Sequence, residues 1–147
     1  MRYAAIGFVL AALWLSPGSG QAQVHVDIGI NLPGPPVWAV VPGQRSVYYA
    51  PRAPADVFRY GHQYYAFANG GWYVGNGYNG PWIVVAPQFV PAPLLRVPVR
   101  YYHVPPGHWR QWRREEPPHW EREWGHDWNE NRKGWRGPHA SYDGHRR

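Results

Sequence analysis

His62-Gln63-Tyr64-Tyr65-Ala66-Phe67-Ala68, then Asn69-Gly70-Gly71, then Trp72-Tyr73-Val74 is the stretch on which the fold turns. An Asn-Gly pair supplies the positive φ angles that a tight hairpin turn needs. Aromatic residues on both sides suit cross-strand pairing. Two antiparallel strands are therefore expected here. Val57-Phe58-Arg59-Tyr60 and Ser46-Val47-Tyr48-Tyr49-Ala50 read as short strands before the hairpin. Asn79-Gly80-Pro81 leads into another at Trp82-Ile83-Val84-Val85-Ala86. Val24-His25-Val26-Asp27-Ile28-Gly29-Ile30 alternates apolar and polar residues with period two, as a half-buried strand does. Pro33-Gly34-Pro35-Pro36 ends it, and the prolines at 87, 91, 93 and 98 forbid a long ladder later on. Val97-Pro98-Val99-Arg100-Tyr101-Tyr102 is expected to form an edge strand or run extended. The fold class read from the chain is mainly β: a small antiparallel meander of three to five short strands. A partly helical, partly disordered Trp/His/Arg-rich tail follows it.

Around this segment the composition is unusual. The chain has 147 residues, with Trp 10 and Tyr 11 against Phe 4, and with Gly 17 and Pro 17. Threonine and cysteine are absent, and Lys133 is the single lysine. Without cysteine there is no disulfide framework and no thiolate site. Met1-Arg2 and an apolar run over residues 4–15 precede Ser16-Pro17-Gly18-Ser19-Gly20. That run is too short to span a bilayer comfortably. With Gly20-Gln21-Ala22 it reads as a secretory signal cleaved between Ala22 and Gln23. The expected organisation is a signal peptide over residues 1–22, an aromatic β-rich domain over 23–102 and a low-complexity tail over 103–147. The product is expected to be exported, and to be periplasmic, envelope-associated or secreted, with no transmembrane span in the mature chain.

The tail holds six of the eight histidines and six of the ten tryptophans. Residues 107–116 are expected to form one short helix with Trp109 and Trp112 on one side. A second helix is expected from His119 to Trp128, with Trp120, Trp124 and Trp128 sharing a face at i, i+4 and i+8. Gly125 weakens it by about 1 kcal/mol. After Asn129 the composition reads as disordered. Interleaving of Trp and Arg, as in Trp109-Arg110-Gln111-Trp112-Arg113-Arg114, fits an anionic surface. The candidate contact residues are Trp109, Arg110, Trp112, Arg113, Arg114, Trp120, Trp124 and Trp128. Peptidoglycan, outer-membrane lipid and envelope proteins are the candidate partners. Single-stranded nucleic acid suits the same chemistry but is not expected to meet an exported protein. A competing reading is intramolecular: Trp120, Trp124 and Trp128 cover the β segment while the arginines pair with neighbouring glutamates.

Pro105-Pro106-Gly107-His108-Trp109 is echoed at Glu116-Pro117-Pro118-His119-Trp120. With Tyr101-Tyr102-His103-Val104 before it, and Asn79-Gly80-Pro81-Trp82 earlier, the chain resembles a loose group of small exported proteobacterial proteins of unknown function. These carry an aromatic β segment followed by Pro-Gly-His-Trp elements, and some are described by Trp-x-x-Gly-x-Trp repeats. In Trp124-Gly125-His126-Asp127-Trp128 the glycine directly follows the first tryptophan. The resemblance carries over no catalytic residue.

Enzyme chemistry finds little support. Ser46, His62 and Asp56 can be written as a triad, but no Gly-x-Ser-x-Gly elbow surrounds Ser46. Asp27 and Asp56 are the only acids of the β part and sit in no glycosidase frame. Gly70-Gly71 and Gly75-Asn76-Gly77 are hairpin glycines, not a phosphate loop. No cofactor is expected. Imidazoles suit zinc, copper and nickel. His103, His108, His119 and His126 are therefore candidate metal ligands, with His139 and His145 beyond them, although their spacing is irregular. The expectation is a non-enzymatic envelope protein, structural or adhesive, that binds envelope polymers or lipid head groups through its Trp/Arg tail. A periplasmic metal-binding or metal-stress protein is one alternative, and an envelope-stress or assembly factor that holds client proteins is the other. Edge strands in so small a sheet also leave a homo-oligomer open.

Overall fold

The hairpin at Asn69-Gly70 lies at the centre of a six-stranded antiparallel sheet in the computed structural model, which describes residues 24–132. The strands are β1 (Ala39–Val41), β2 (Gln44–Tyr49), β3 (Asp56–Tyr60), β4 (Gln63–Ala68), β5 (Gly71–Gly75) and β6 (Trp82–Val85). Each pairs with the next in chain order, so the sheet is a meander. Two-residue turns set the registers. Asn69 (φ 52°) and Gly70 (φ 75°) both take the positive φ of a type I′ turn, and Ala68 pairs with Gly71. Gly61 (φ 61°) occupies the first central position between Tyr60 and Gln63, where a type II′ turn places glycine.

Six strands exceed the three to five expected from the sequence. The additional strand is β1, closed onto β2 by Pro42-Gly43 with Gly43 at φ 82°. Proline followed by a positive-φ glycine is type II turn chemistry. The expected strand over residues 24–30 contributes a single bridge instead, with the Val26 N–H donating to the Trp82 carbonyl at 2.8 Å. The ladder stops there because Asp27 Oδ1 accepts the Gly29 N–H at 2.9 Å and Gly29 turns to φ 73°. Such an Asx turn offers the backbone an alternative to pairing. The alternation survives as half-buried Val26, Ile28 and Ile30 between exposed neighbours. Asn79 anchors the chain beyond: its Oδ1 accepts the Leu32 N–H at 2.7 Å and its Nδ2 donates to the Leu32 carbonyl at 2.8 Å.

Both faces of the sheet are used. Val47, Phe58, Tyr65, Phe67 and Trp72 point to the first face and Val57, Ala66 and Trp82 to the second. Residues 28–32 partly cover the second face. The first face is sealed by the rest of the chain: α1 (Ala92–Leu95), the 3-10 turn Val99–Tyr101, the 3-10 turn Gly107–Gln111 and α2 (Trp120–Trp124). The change in composition near Pro105-Pro106 is therefore no boundary in the packing, because one core contains residues from both sides of it.

The tail helices are shorter than expected. Residues 107–116 yield only the 3-10 turn, because Trp112 takes extended backbone (φ −90°, ψ 153°) and ends it. Beyond it the Glu116 and Arg114 carbonyls accept the Val99 and Arg100 N–H groups, both at 2.9 Å. The same bonds place Val99–Tyr101 in a 3-10 turn rather than an edge strand. Gly125 at φ 88° ends α2 after Trp124, and a separate 3-10 turn, His126–Arg132, follows. No helix among the described residues is long and apolar enough to cross a membrane. The signal segment with its cleavage point at Ala22 and Gln23, the residues after 132, and His139 and His145 lie outside the described residues.

Candidate polyanion-contact surface

The arrangement of the tail follows from 3-10 geometry. In a 3-10 turn residues at i and i+3 eclipse, so Trp109 and Trp112 share a side and stack at 5.3 Å. That side faces the sheet. Trp109 is 1% exposed, Trp112 9% and Trp120 4%. Trp109 stacks on Phe67 of β4 at 5.2 Å and meets Tyr102 edge-on at 5.1 Å. Trp120 lies against Phe67 and Trp72, and its Nε1 donates to the Leu95 carbonyl at 2.8 Å. Trp124 stacks on Trp120 at 4.4 Å, and Trp128 meets Trp124 edge-on at 5.3 Å; both are partly buried against the same core.

Of the eight expected contact residues, the three most buried are thus core residues. Of these only Trp120 belonged to the intramolecular reading; Trp109 and Trp112 join it, and a client-binding surface built on the three would have no exposed ring. Arg110, Arg113 and Arg114 take the opposite side and are exposed. Sequence reasoning missed one neighbour. The Arg100 N–H bond to the Arg114 carbonyl brings Arg100 beside this group, where its guanidinium pairs with Glu115 at 2.8 Å. Arg113 pairs with Glu116 at 3.3 Å. Such exposed pairs contribute about 0–1 kcal/mol each, so the arginines are exchangeable toward another anion. Arg100 stands ten positions before Arg110 in the sequence, so no local pattern marked it.

The four candidate histidines are put to separate uses. His103 Nε2 donates to the Ala50 carbonyl at 2.9 Å. His108 Nε2 meets Glu123 Oε1, which also accepts Trp109 Nε1 at 2.8 Å. The His119 ring stacks on Trp112 at 4.7 Å, and His126 is exposed. Among the described residues no group of three or more His, Asp or Glu side chains is placed to hold a metal ion.

Asp56 is 2% exposed and is the buried charge that ties the tail down. Its two carboxylate oxygens accept the backbone N–H groups of His103 and Val104, the latter at 3.0 Å. Burial raises its pKa above its ordinary value, against the opposing effect of the two N–H donors. Burial, and then the Asp56 charge, push the Tyr102 phenol well above its usual value. Asp56→Asn is expected to destabilise the protein by about 1–3 kcal/mol, because an amide offers one acceptor where two donors converge. A group whose folded pKa is raised stabilises the fold below its unfolded value and loses that contribution as pH rises through the folded value. Urea unfolding from about pH 4 upward is therefore expected to show wild-type stability falling with pH, a component the Asn variant lacks. Parallel pH profiles would contradict this assignment.

Comparison with family models, with curated proteins and with solved structures gives no match for this chain.

Proposed function

We propose that this is an exported, non-enzymatic protein of the cell envelope that holds an anionic envelope polymer or lipid head group through the arginine rim of its tail. The observation that carries the reading is the sorting of the Trp/Arg stretch: Trp109 and Trp112 face inward while Arg110, Arg113 and Arg114 face solvent. Trp packing fixes the backbone, and the backbone presents the guanidinium groups as a set. Arg pairs with carboxylate and phosphate in a bidentate way, which suits peptidoglycan carboxylates and lipid phosphates alike. The leader pattern at residues 1–22 supports the compartment.

The test is cosedimentation of the mature chain with purified sacculi and with outer-membrane vesicles. The triple variant Arg110→Gln, Arg113→Gln, Arg114→Gln is expected to bind roughly tenfold more weakly, from three exposed contacts of about 0.5 kcal/mol each. Binding is expected to weaken between low and physiological salt, where screening shortens to about 8 Å, and to ignore chelator. Pelleting that is indifferent to salt and to the triple variant would sink the reading.

A further inference from the structure

The second face of the sheet is only half covered. One cross-strand row runs Val40, Tyr48, Arg59, Tyr64, Gly75, Trp82 from β1 to β6. At the β6 end Trp82 is 3% exposed and lies over Gly75, where a Cβ would come within 3.1 Å of its ring. At the other end the row is open: Val40 is 46% exposed, and Arg59 and Ser46 are exposed. The Arg59 guanidinium lies 5.4 Å from the centre of the Tyr48 ring. Tyr64, directly opposite Arg59, is held by Trp38 at 5.8 Å and Tyr78 at 6.5 Å.

The charge on this half is one-sided. Among the described residues Arg59 makes no ion pair, nor does Arg52. Arg52 lines a cleft of about 530 Å³ with Leu32, Pro36 and Ala53, the last of which packs on this same face. Of the carboxylates, Asp56 faces the tail, Glu115, Glu116 and Glu123 are partnered within it, and Asp27 accepts the Gly29 N–H beside the Val26 bridge to β6, at the covered end of this face.

We propose that this open half binds a linear polysaccharide of carboxylated pyranose rings, with sugar faces on Tyr48 and Tyr64 and a carboxylate on Arg59. Tyr48 and Tyr64 stand two strands apart, about 10 Å at ordinary strand spacing, of the order of one disaccharide step. Tyrosine offers a rigid ring at low entropic cost, and guanidinium pairs with carboxylate in a planar fork. This surface is separate from the arginine rim, which belongs to the tail on the first face; it shares with the proposed function the expectation of an exported protein and of an anionic ligand.

The experiment is calorimetric titration of the mature chain with hexagalacturonate, beside a neutral galactose hexamer, polyglutamate and oligothymidylate. Hexagalacturonate is expected to bind at least about tenfold more tightly than each comparator, the scale of one charge-assisted hydrogen bond. In the background of the Arg110/Arg113/Arg114 triple variant, which removes the rim as a second anion contact, Arg59→Gln and Tyr48→Ala, both near the surface, are each expected to weaken it by a similar factor. Absence of binding overturns the proposal. So does equal binding of polyglutamate, which would need no ring, or of oligothymidylate, which would indicate nucleic acid. Loss in the tail variant alone would overturn it too, while moving the contact to the rim and leaving the proposed function standing.

Discussion

A chain ending at Pro106 is expected to show no cooperative unfolding transition. Such a truncation leaves all six strands in the sequence, so a self-sufficient β domain over residues 23–102 would tolerate it. The packing argues otherwise. It removes Trp109, Trp112 and Trp120 from the first face of the sheet, where each is nearly or fully buried. Burying a large apolar side chain contributes up to about 3 kcal/mol, so the three together approach the 5–15 kcal/mol by which whole domains are stable. The Glu116 and Arg114 carbonyls that accept the Val99 and Arg100 N–H groups go with them. Phe67 and Trp72 would then face water. The readout is thermal denaturation followed by circular dichroism, with a hydrophobic dye reporting the exposed face. A sharp melt without dye binding would show that the sheet covers itself without the tail.

Trp109→Ala is expected to cost about 3–5 kcal/mol, the range for large-to-small changes of aromatic core residues. Trp109 meets Phe67, Tyr102, Trp112 and Trp120 within 5.6 Å between ring centres. It also donates its Nε1 to Glu123. Trp109→Phe keeps the stack on Phe67 and gives up that hydrogen bond, so a smaller loss is expected. Trp124→Ala, at the half-buried margin of the cluster, is expected to cost less than Trp109→Ala. Urea unfolding of the three variants ranks them. A loss below about 1 kcal/mol for Trp109→Ala, the level of an ordinary surface change, would mean that the cluster is not the keystone of the first face. The two results also bear on the proposed function, because the arginine rim exists only while the tryptophans beneath it hold the backbone in place.

Where the fold was legible in the sequence, the signal was local. Asn69-Gly70 imposes its turn through the backbone conformation of two adjacent residues, and the strands on either side need only alternate to find each other. The same holds for β2, β3 and β6, which lie where the short apolar runs lie. Strand β1 carried an equally local mark in Pro42-Gly43, but three residues make a weak run beside the prolines at 33–36. Residues 24–30 show the reverse case. Their alternation is genuine and their burial follows it, yet an Asx turn at Asp27 takes the backbone out of the ladder.

The tail shows what sequence alone leaves undecided. Its Trp/Arg interleaving fits a displayed surface and a packed one equally well, because spacing says which residues share a side and not which way that side faces. The direction was decided by Phe67 and Trp72, some forty residues away, whose uncovered rings the tail tryptophans bury. Arg100 joined the arginine group, and Asp56 came to hold His103 and Val104, through hydrogen bonds across 14 and about 47 residues of chain. The sequence by itself determined the antiparallel β character, the central hairpin and the inventory of chemical groups, since turn chemistry and composition act at short range. The tertiary structure alone decided which aromatic rings are core, which arginines face water and which half of the second face stays open, since burial depends on surfaces that distant segments bring together.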